Sequence, residues 1–512
     1  MTRLFALLLA LLSLTLPARA DDISATSRSV VRVVTVAMVD GEVVGFGHGS
    51  GIAISPTRIV TNAHVVESAA RYPDNVALGV VPSEGQKSYA AKLIAIDTKR
   101  DLALIEITEG RVPAAAIYSG PFESGADVVA LGYPGNVDAA TAQGAGDYIT
   151  PRTPVRSEGN LSNTQGVDGV AMLVHTAKIA RGNSGGPLLD QCGRIVGINN
   201  AMTRADDGDS PFSFAIANRE LTRFLTDASQ SFGSIGTPCL SLAEADARDR
   251  AALDADARAK AEANAAKNEA AALDRQLRET RADEEAQASR ENRMALAGVL
   301  FVIGALSAGA ALMFHGQKNV RNAKMAGAAG GVLVLAAAIL FATRPDAHGE
   351  LPSDPKAADG AAAPAALAEG NLLCTIRPDR SRITMSETPD VPVAIGTSGC
   401  VNGRTQYAQG SDGRWQRILV PNEEPTVTIA SIDGAGTDYR VDRYFLDAET
   451  MAKAREVRAG VEIKGCSVAP DQLAALATQQ DAIRSVLPAS PNERLVYSCQ
   501  KLAKGAVVNP AP

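Results

Sequence analysis

A serine hydroxyl attacks a carbonyl at neutral pH only when a base takes its proton and donors receive the oxyanion that forms. The stretch Arg181-Gly182-Asn183-Ser184-Gly185-Gly186-Pro187 has residues for that chemistry. Its three glycines let the backbone turn sharply around Ser184 and let a substrate carbonyl come close. In such a turn the amides of Gly182 and Ser184 can converge as an oxyanion hole. The base expected is His64, one of only five histidines, in Thr61-Asn62-Ala63-His64-Val65-Val66. An apolar run (51–54) and a Ser55-Pro56 turn precede it, so His64 falls where a strand hands over to a helical turn. Asp101 heads the apolar run Asp101-Leu102-Ala103-Leu104-Ile105 and is the carboxylate expected to orient the imidazole. Two rivals are weaker. His175 lies inside a strand-like stretch, Met172-Leu173-Val174-His175, and Asp97 competes with Asp101 only by proximity.

The chain order His, Asp, Ser is that of chymotrypsin-type proteases. Together with Gly49-Ser50-Gly51 and Leu131-Gly132-Tyr133-Pro134-Gly135, the sequence resembles bacterial trypsin-like serine proteases of the HtrA/Deg type over roughly residues 28–226. The resemblance implies an all-β double barrel (chymotrypsin/trypsin-like) with the triad in the cleft. It also implies that His64 is general base, Asp101 its orienter and Ser184 the nucleophile. Asn183 stands where digestive enzymes carry an aspartate that pairs with a freed amino terminus, so activation by zymogen cleavage is not expected. The strand after the nucleophile, residues 194–201, is expected to pair with an extended substrate. Lys178, Ile179, Ala180, Asn199, Asn200, Ala201 and Met202 are the expected substrate-binding residues. Most are small or apolar, which points to cleavage after modest aliphatic side chains, modified by Lys178. No peptide-binding module of the kind that usually follows this protease is recognisable.

The 512 residues allow about three domains. A net charge of −7 argues against a nucleic-acid partner, and no zinc spacing or phosphate loop is visible, so no cofactor or metal is expected. Residues 1–20 read as a signal peptide: Arg3, an apolar centre, then Ala18-Arg19-Ala20. Residues 240–293 are rich in Ala, Glu, Asp and Arg without Gly or Pro and predict a continuous helical stalk, about 80 Å long at 1.5 Å per residue. Their leucines sustain no strong heptad seam, so a coiled coil is not favoured, although self-association through the stalk or membrane helices remains open. Residues 294–314 and 325–342 have the length and composition of transmembrane helices. The basic loop 315–324, with Lys318, Arg321 and Lys324, favours the cytoplasmic side. Protease and C-terminal domain are then expected on the exported, periplasmic side of a bacterial inner membrane. Gly327 and Gly331 would let the spans pack closely.

Residues 345–370 read as a disordered linker. Residues 371–512 predict a small β-rich α+β domain with strands at 391–395, 413–420, 426–432 and 439–446 and helices at 448–457 and 471–487. Trp415 is expected in its core. Six cysteines allow fifteen pairings. Segregation along the chain suggests Cys192 with Cys239, leaving Cys374, Cys400, Cys466 and Cys499 to pair within the last domain. The chain thus reads as a membrane-anchored serine endopeptidase acting on exported or misfolded polypeptides. The competing reading is a sensor or scaffold that binds extended segments without cleaving them.

Overall fold

The computed structural model describes residues 21–203, 211–344, 367–410, 412–460, 465–466 and 469–502. The expected signal peptide and most of the expected linker lie outside the described residues. Six strands, β1 (Val30–Val39), β2 (Glu42–Ala53), β3 (Arg58–Thr61), β4 (Val76–Pro82), β5 (Tyr89–Asp97) and β6 (Leu102–Ile107), close into a barrel in the order β1-β2-β3-β6-β5-β4. The apolar run 102–105 does not alternate with polar residues because both of its faces are covered. Ala103 and Ile105 fill the barrel interior, while Leu102 and Leu104 join Val30, Ile52 and Val60 against Val129, Leu131, Ile198 and Ile216 of the next barrel.

That second barrel follows two-residue β7 (Ile117–Tyr118). It comprises β8 (Asp127–Gly132), β9 (Val155–Val167), β10 (Val170–His175), β11 (Pro187–Leu189), β12 (Ile195–Met202) and β13 (Ser213–Ala217), ringed as β11-β8-β9-β10-β13-β12 and closed by β11–β12 pairing. β7 and β14 (Ser234–Ile235) extend it in parallel. The double barrel expected from the sequence is therefore present. A helix at Asp22–Ser27, capped by the Asp21 carboxylate on the Ile23 amide, precedes β1 and had no clear signal in the sequence.

Residues up to 252 and those after 362 form one compact unit, and residues 253–362 a second. Within the first unit, the last part of the chain forms a nine-stranded antiparallel sheet. Its strands are β15 (Gly370–Ile376), β16 (Val391–Ile395), β17 (Cys400–Val401), β18 (Thr405–Gln406), β19 (Ala408–Gln409), β20 (Trp415–Leu419), β21 (Thr426–Ile432), β22 (Asp438–Phe445) and β23 (Glu493–Lys501). Helices Ala448–Ala459 and Pro470–Val486 cover part of it through Met451, Ala454 and Ile483. Leu367 is buried with Leu372 and Tyr497, and β15 begins at Gly370, so the end of the stretch read as linker belongs to this sheet. Trp415 packs partly buried on the same cluster and closes over Gly399, where a side chain would strike its ring. The cysteines pair as Cys192–Cys239, Cys374–Cys499 and Cys400–Cys466. Cys374 and Cys499 face each other across β15 and β23.

One helix, Leu242–Gly316, runs through both the expected stalk and the first expected span, and Val320–Ala342 follows. Each has a stretch long and apolar enough to cross a membrane. The first turns of the long helix are not a free stalk. Asp246 pairs with Arg494 (2.5 Å), and Asp249 with Arg380 (2.6 Å) and Arg440 (2.7 Å). The membrane-type helices meet at Gly304 and Gly330, each of which would bring a Cβ to about 3 Å of the other's backbone. Gly331 faces open space and Gly327 makes only ordinary contact, so the sequence expectation is corrected by one helical position. A glycine hinders nothing, and only the crossing point decides which one is needed.

His175, the strand histidine, is fully buried at the end of β10, and burial pushes its pKa down from 6.5 to about 4. An unfolded chain therefore takes up a proton below pH 6.5 that the folded one refuses until about pH 4, so stability falls as the pH falls through that window. A shift of that size corresponds to about 3 kcal/mol. Thermal melts of the detergent-solubilised protein from pH 7 to 4 are expected to show His175→Asn losing less stability on acidification than the parent. An identical pH dependence in both would refute the assignment.

Candidate active site

His64, Asp101 and Ser184 are drawn together from three places separated by up to 120 residues along the chain. β3 ends at Thr61, and the helix Ala63–Arg71 starts with His64 in its first turn. Asp101 sits just before β6 in the left-handed region at φ 52°, a conformation that aspartate adopts more readily than most residues. From there its carboxylate takes the His64 amide on Oδ1 (2.9 Å) and His64 Nδ1 on Oδ2 (2.7 Å). The proton on Nδ1 faces the carboxylate, which leaves the Nε2 lone pair for a substrate-side proton. The hydrogen bond that His64 donates to Asp101 lifts its pKa above the usual 6.5, against the opposing effect of burial. Asp97 is not a rival: it accepts the Lys99 and Arg100 amides and pairs with the Arg100 guanidinium at 2.7 Å.

Two residues complete this arrangement that the sequence did not mark for it. Asn200 was expected to bind substrate, yet its Nδ2 donates to Asp101 Oδ2 at 2.6 Å. Its backbone carbonyl accepts the Ser184 hydroxyl at 3.1 Å. Ser184 Oγ therefore rests on Asn200, the same residue whose side chain holds Asp101. Ser50 is the second. Its Oγ donates to the Gly182 carbonyl (2.7 Å) and accepts the Tyr133 amide (2.9 Å), while its own amide holds the Ser184 carbonyl (2.8 Å). The only sequence signal for it was its place between Gly49 and Gly51.

The glycine-rich turn has the shape its sequence demands. Gly182 and Gly185 have φ of 100° and 87°. A Cβ on Gly182 would come within 2.3 Å of the Tyr133 carbonyl, and one on Gly185 within 2.2 Å of the Ser50 carbonyl. The Arg181 carbonyl accepts the Gly135 amide at 2.7 Å. Because a trans peptide points its C=O and N–H in opposite directions, the Gly182 amide is aimed away from Gly135. Among the described residues neither the Gly182 nor the Ser184 amide donates to any acceptor. Two unpaired amides flanking a nucleophile are what an oxyanion requires.

Beside the turn is a cavity of about 390 Å³ lined by Lys178, Ile179, Ala180, Asn183 and Met202, among others. Asn199 is fully buried, with its Nδ2 on the Pro187 carbonyl, and its backbone pairs with Gly185 and Gly186. It braces the nucleophile turn instead of contacting the cavity. Ala201 lies outside the lining as well.

Residues 49–198 match the family described as "Trypsin-like peptidase domain". The chain is 31% identical over 181 residues to the serine protease Rv3671c of Mycobacterium tuberculosis, covering 34% of this chain and 41% of that protein. It is 31% identical over 194 residues to a probable periplasmic serine endoprotease, DegP-like, of Chlamydia trachomatis, covering 37% and 36%. It is 29% identical over 182 residues to the magnetosome formation protease MamE of Paramagnetospirillum magneticum, covering 35% and 23%. The chain thus spans less than half the length of each of these relatives. Residues 49–198, which include His64, Asp101 and Ser184, are thus similar to trypsin-like peptidases, and the relatives that the chain matches are named as serine proteases.

Proposed function

We propose that the protein is a membrane-tethered endopeptidase that hydrolyses exported polypeptides through an acyl-enzyme. Ser184 attacks the scissile carbonyl and His64 Nε2 takes its proton, later passing it to the leaving amine. Asp101, held by the His64 amide and Asn200, keeps the imidazole in the required tautomer. The Gly182 and Ser184 amides receive the oxyanion. The observation that carries this reading is the pair of unpaired amides at Gly182 and Ser184 together with an imidazole already held by a carboxylate.

The resting hydrogen bond from Ser184 to Asn200 gives the non-cleaving scaffold reading its one specific support. A fluorophosphonate probe separates the two, because it labels an activated serine whatever the natural substrate. Labelling of the detergent-solubilised protein, lost in Ser184→Ala, supports hydrolysis; parent and variant equally inert would support the scaffold. In the active case kcat/KM is expected to rise with pH on a limb centred above 6.5, because only neutral His64 accepts the proton. Asp101→Asn should move that limb downward and lower kcat by about 10⁴-fold.

The cavity beside the turn suggests what precedes the cleaved bond. Ile179, Ala180 and Met202 favour a modest aliphatic side chain, while Lys178 adds a cation with no ion-pair partner among the described residues. The expected result is cleavage after valine, and a several-fold preference for glutamate over the isosteric glutamine. Lys178→Met should remove that preference while sparing valine substrates; an unchanged glutamate-to-glutamine ratio would exclude Lys178 from the pocket.

The tether is read from the two apolar helices and the basic loop between them, which favours the cytoplasm and leaves both flanking parts on the exported side. The DegP-like relative, named as periplasmic, supports that sidedness.

A further inference from the structure

The nucleophile turn leaves open what keeps the Gly182 amide aimed into the cleft. Asn183 carries no charge, and its amide and carbonyl serve only the turn itself, on Ala180 and Gly186. Ser50 holds the carbonyls of Gly182 and Ser184, and the Arg181–Gly182 peptide itself is held from outside by the Gly135 amide on the Arg181 carbonyl. Gly135 opens the short helix Gly135–Thr141, so whatever fixes that helix fixes the peptide plane.

The helix is fixed from the other barrel. Asp138, on its inner side, receives Arg32 Nη2 of β1 at 2.7 Å and lies 3.2 Å from His48 Nε2 of β2. Arg32 is 1% exposed and Asp138 7%. The second terminal nitrogen and the face of the guanidinium are engaged as well, while its Nε has no hydrogen-bond partner among the described residues. Nη1 donates to the Tyr148 carbonyl at 3.1 Å, and the group lies over the Tyr133 ring at 4.6 Å. The Tyr133 hydroxyl in turn holds the Arg152 carbonyl at 2.9 Å. His48 touches the turn as well, since a Cβ on Gly182 would meet its Nε2 at 3.1 Å. Charge buried this deeply is expensive unless paired, and neither Arg32, Asp138 nor His48 lines the cavity beside the turn.

We infer that Arg32, Asp138 and His48 are positioning residues for catalysis, a clamp between barrels that seats Gly135 on the Arg181 carbonyl and so holds the oxyanion hole open. This rests on the peptidase reading of Ser184. Without the clamp the Arg181–Gly182 peptide is free to turn over and present a carbonyl to the oxyanion.

Asp138→Asn tests the clamp directly, but it leaves Arg32 buried without its counter-charge and can fail for lack of folding. The paired replacement Arg32→Met with Asp138→Leu removes both charges, leaves no unpaired ion and is the more informative variant. The expected result is a folded protein whose melting temperature is close to the parent's and whose kcat falls about 10²-fold, the usual effect of losing one oxyanion donor. KM should stay within about threefold, and peptide binding in a Ser184→Ala background should be unchanged. The pH limb of kcat/KM should not move, because His64 and Asp101 are untouched, and the fluorophosphonate labelling rate should fall in parallel with kcat. His48→Gln is expected to give a smaller loss of the same kind. A folded double variant with kcat within threefold of the parent would overturn the clamp, as would a loss confined to KM. A parent protein not labelled at Ser184 would instead refute the peptidase reading on which the clamp depends.

Discussion

Keeping a backbone amide unpaired is the constraint that shapes this molecule. Folded chains satisfy nearly all of their peptide N–H groups, and each exception costs free energy comparable to a lost hydrogen bond. Here the amides of Gly182 and Ser184, with one residue between them, donate to no acceptor among the described residues, and the surrounding chain holds the turn in that shape. Ser50 fixes the Gly182 and Ser184 carbonyls, Gly135 fixes the Arg181 carbonyl, and Asn199 takes the amide of Gly185. With every neighbouring group committed, the two amides have no acceptor within reach. Both barrels contribute to this framework, Ser50 from the first and Gly135 and Asn199 from the second.

The carboxylate of Asp101 shows the same economy in reverse. Its three donors, the His64 amide, the His64 ring and Asn200, come from two barrels and meet at a residue in a left-handed conformation. The positive φ turns the side chain back over the start of β6, while Asn62 ties down the Asp101 carbonyl at 2.8 Å. An isolated aspartate before an apolar run would have been a strand cap. Three convergent donors suit it to orient an imidazole, and the hydrogen bond that His64 donates to it raises the basicity of that ring.

How much of this was legible in the sequence follows from the range of each interaction. His64, Asp101 and Ser184 announced themselves because each lies in a short stretch whose composition has few other uses. The strands at 391–395 and 426–432 were readable to the residue, since β-branched side chains there are bounded by turns. Ser50, Arg32 and Asp138 were not readable as site residues, and Asn200 was read as a substrate contact and not as a partner of Asp101. Their partners lie 83 to 132 residues away for Ser50, 99 for Asn200 and 106 for the Arg32–Asp138 pair, and nothing local distinguishes them. Arg32 in particular sits in a run of valines where a surface-facing arginine is the ordinary expectation. β15 and β23 were missed for a different reason: each finds its partner across the sheet at the far end of the domain, and the disulfide Cys374–Cys499 that joins them could not be chosen among fifteen pairings.

The ion pairs that join the double barrel to the last sheet raise a question that stability alone does not answer. Asp22 is buried against Arg382 and Asn492, Asp249 against Arg380 and Arg440, and Arg382 also reaches the Leu240 carbonyl beside the Cys192–Cys239 bridge. Apolar pairs of the same volume would bury as well and avoid desolvating charge. What charge adds is discrimination. A slid or rotated interface leaves an aspartate facing no arginine, and an unpaired buried carboxylate costs far more than a poorly packed leucine. The start of the long helix, the amino-terminal turn and the last sheet are therefore held in one register, by contacts that penalise every other.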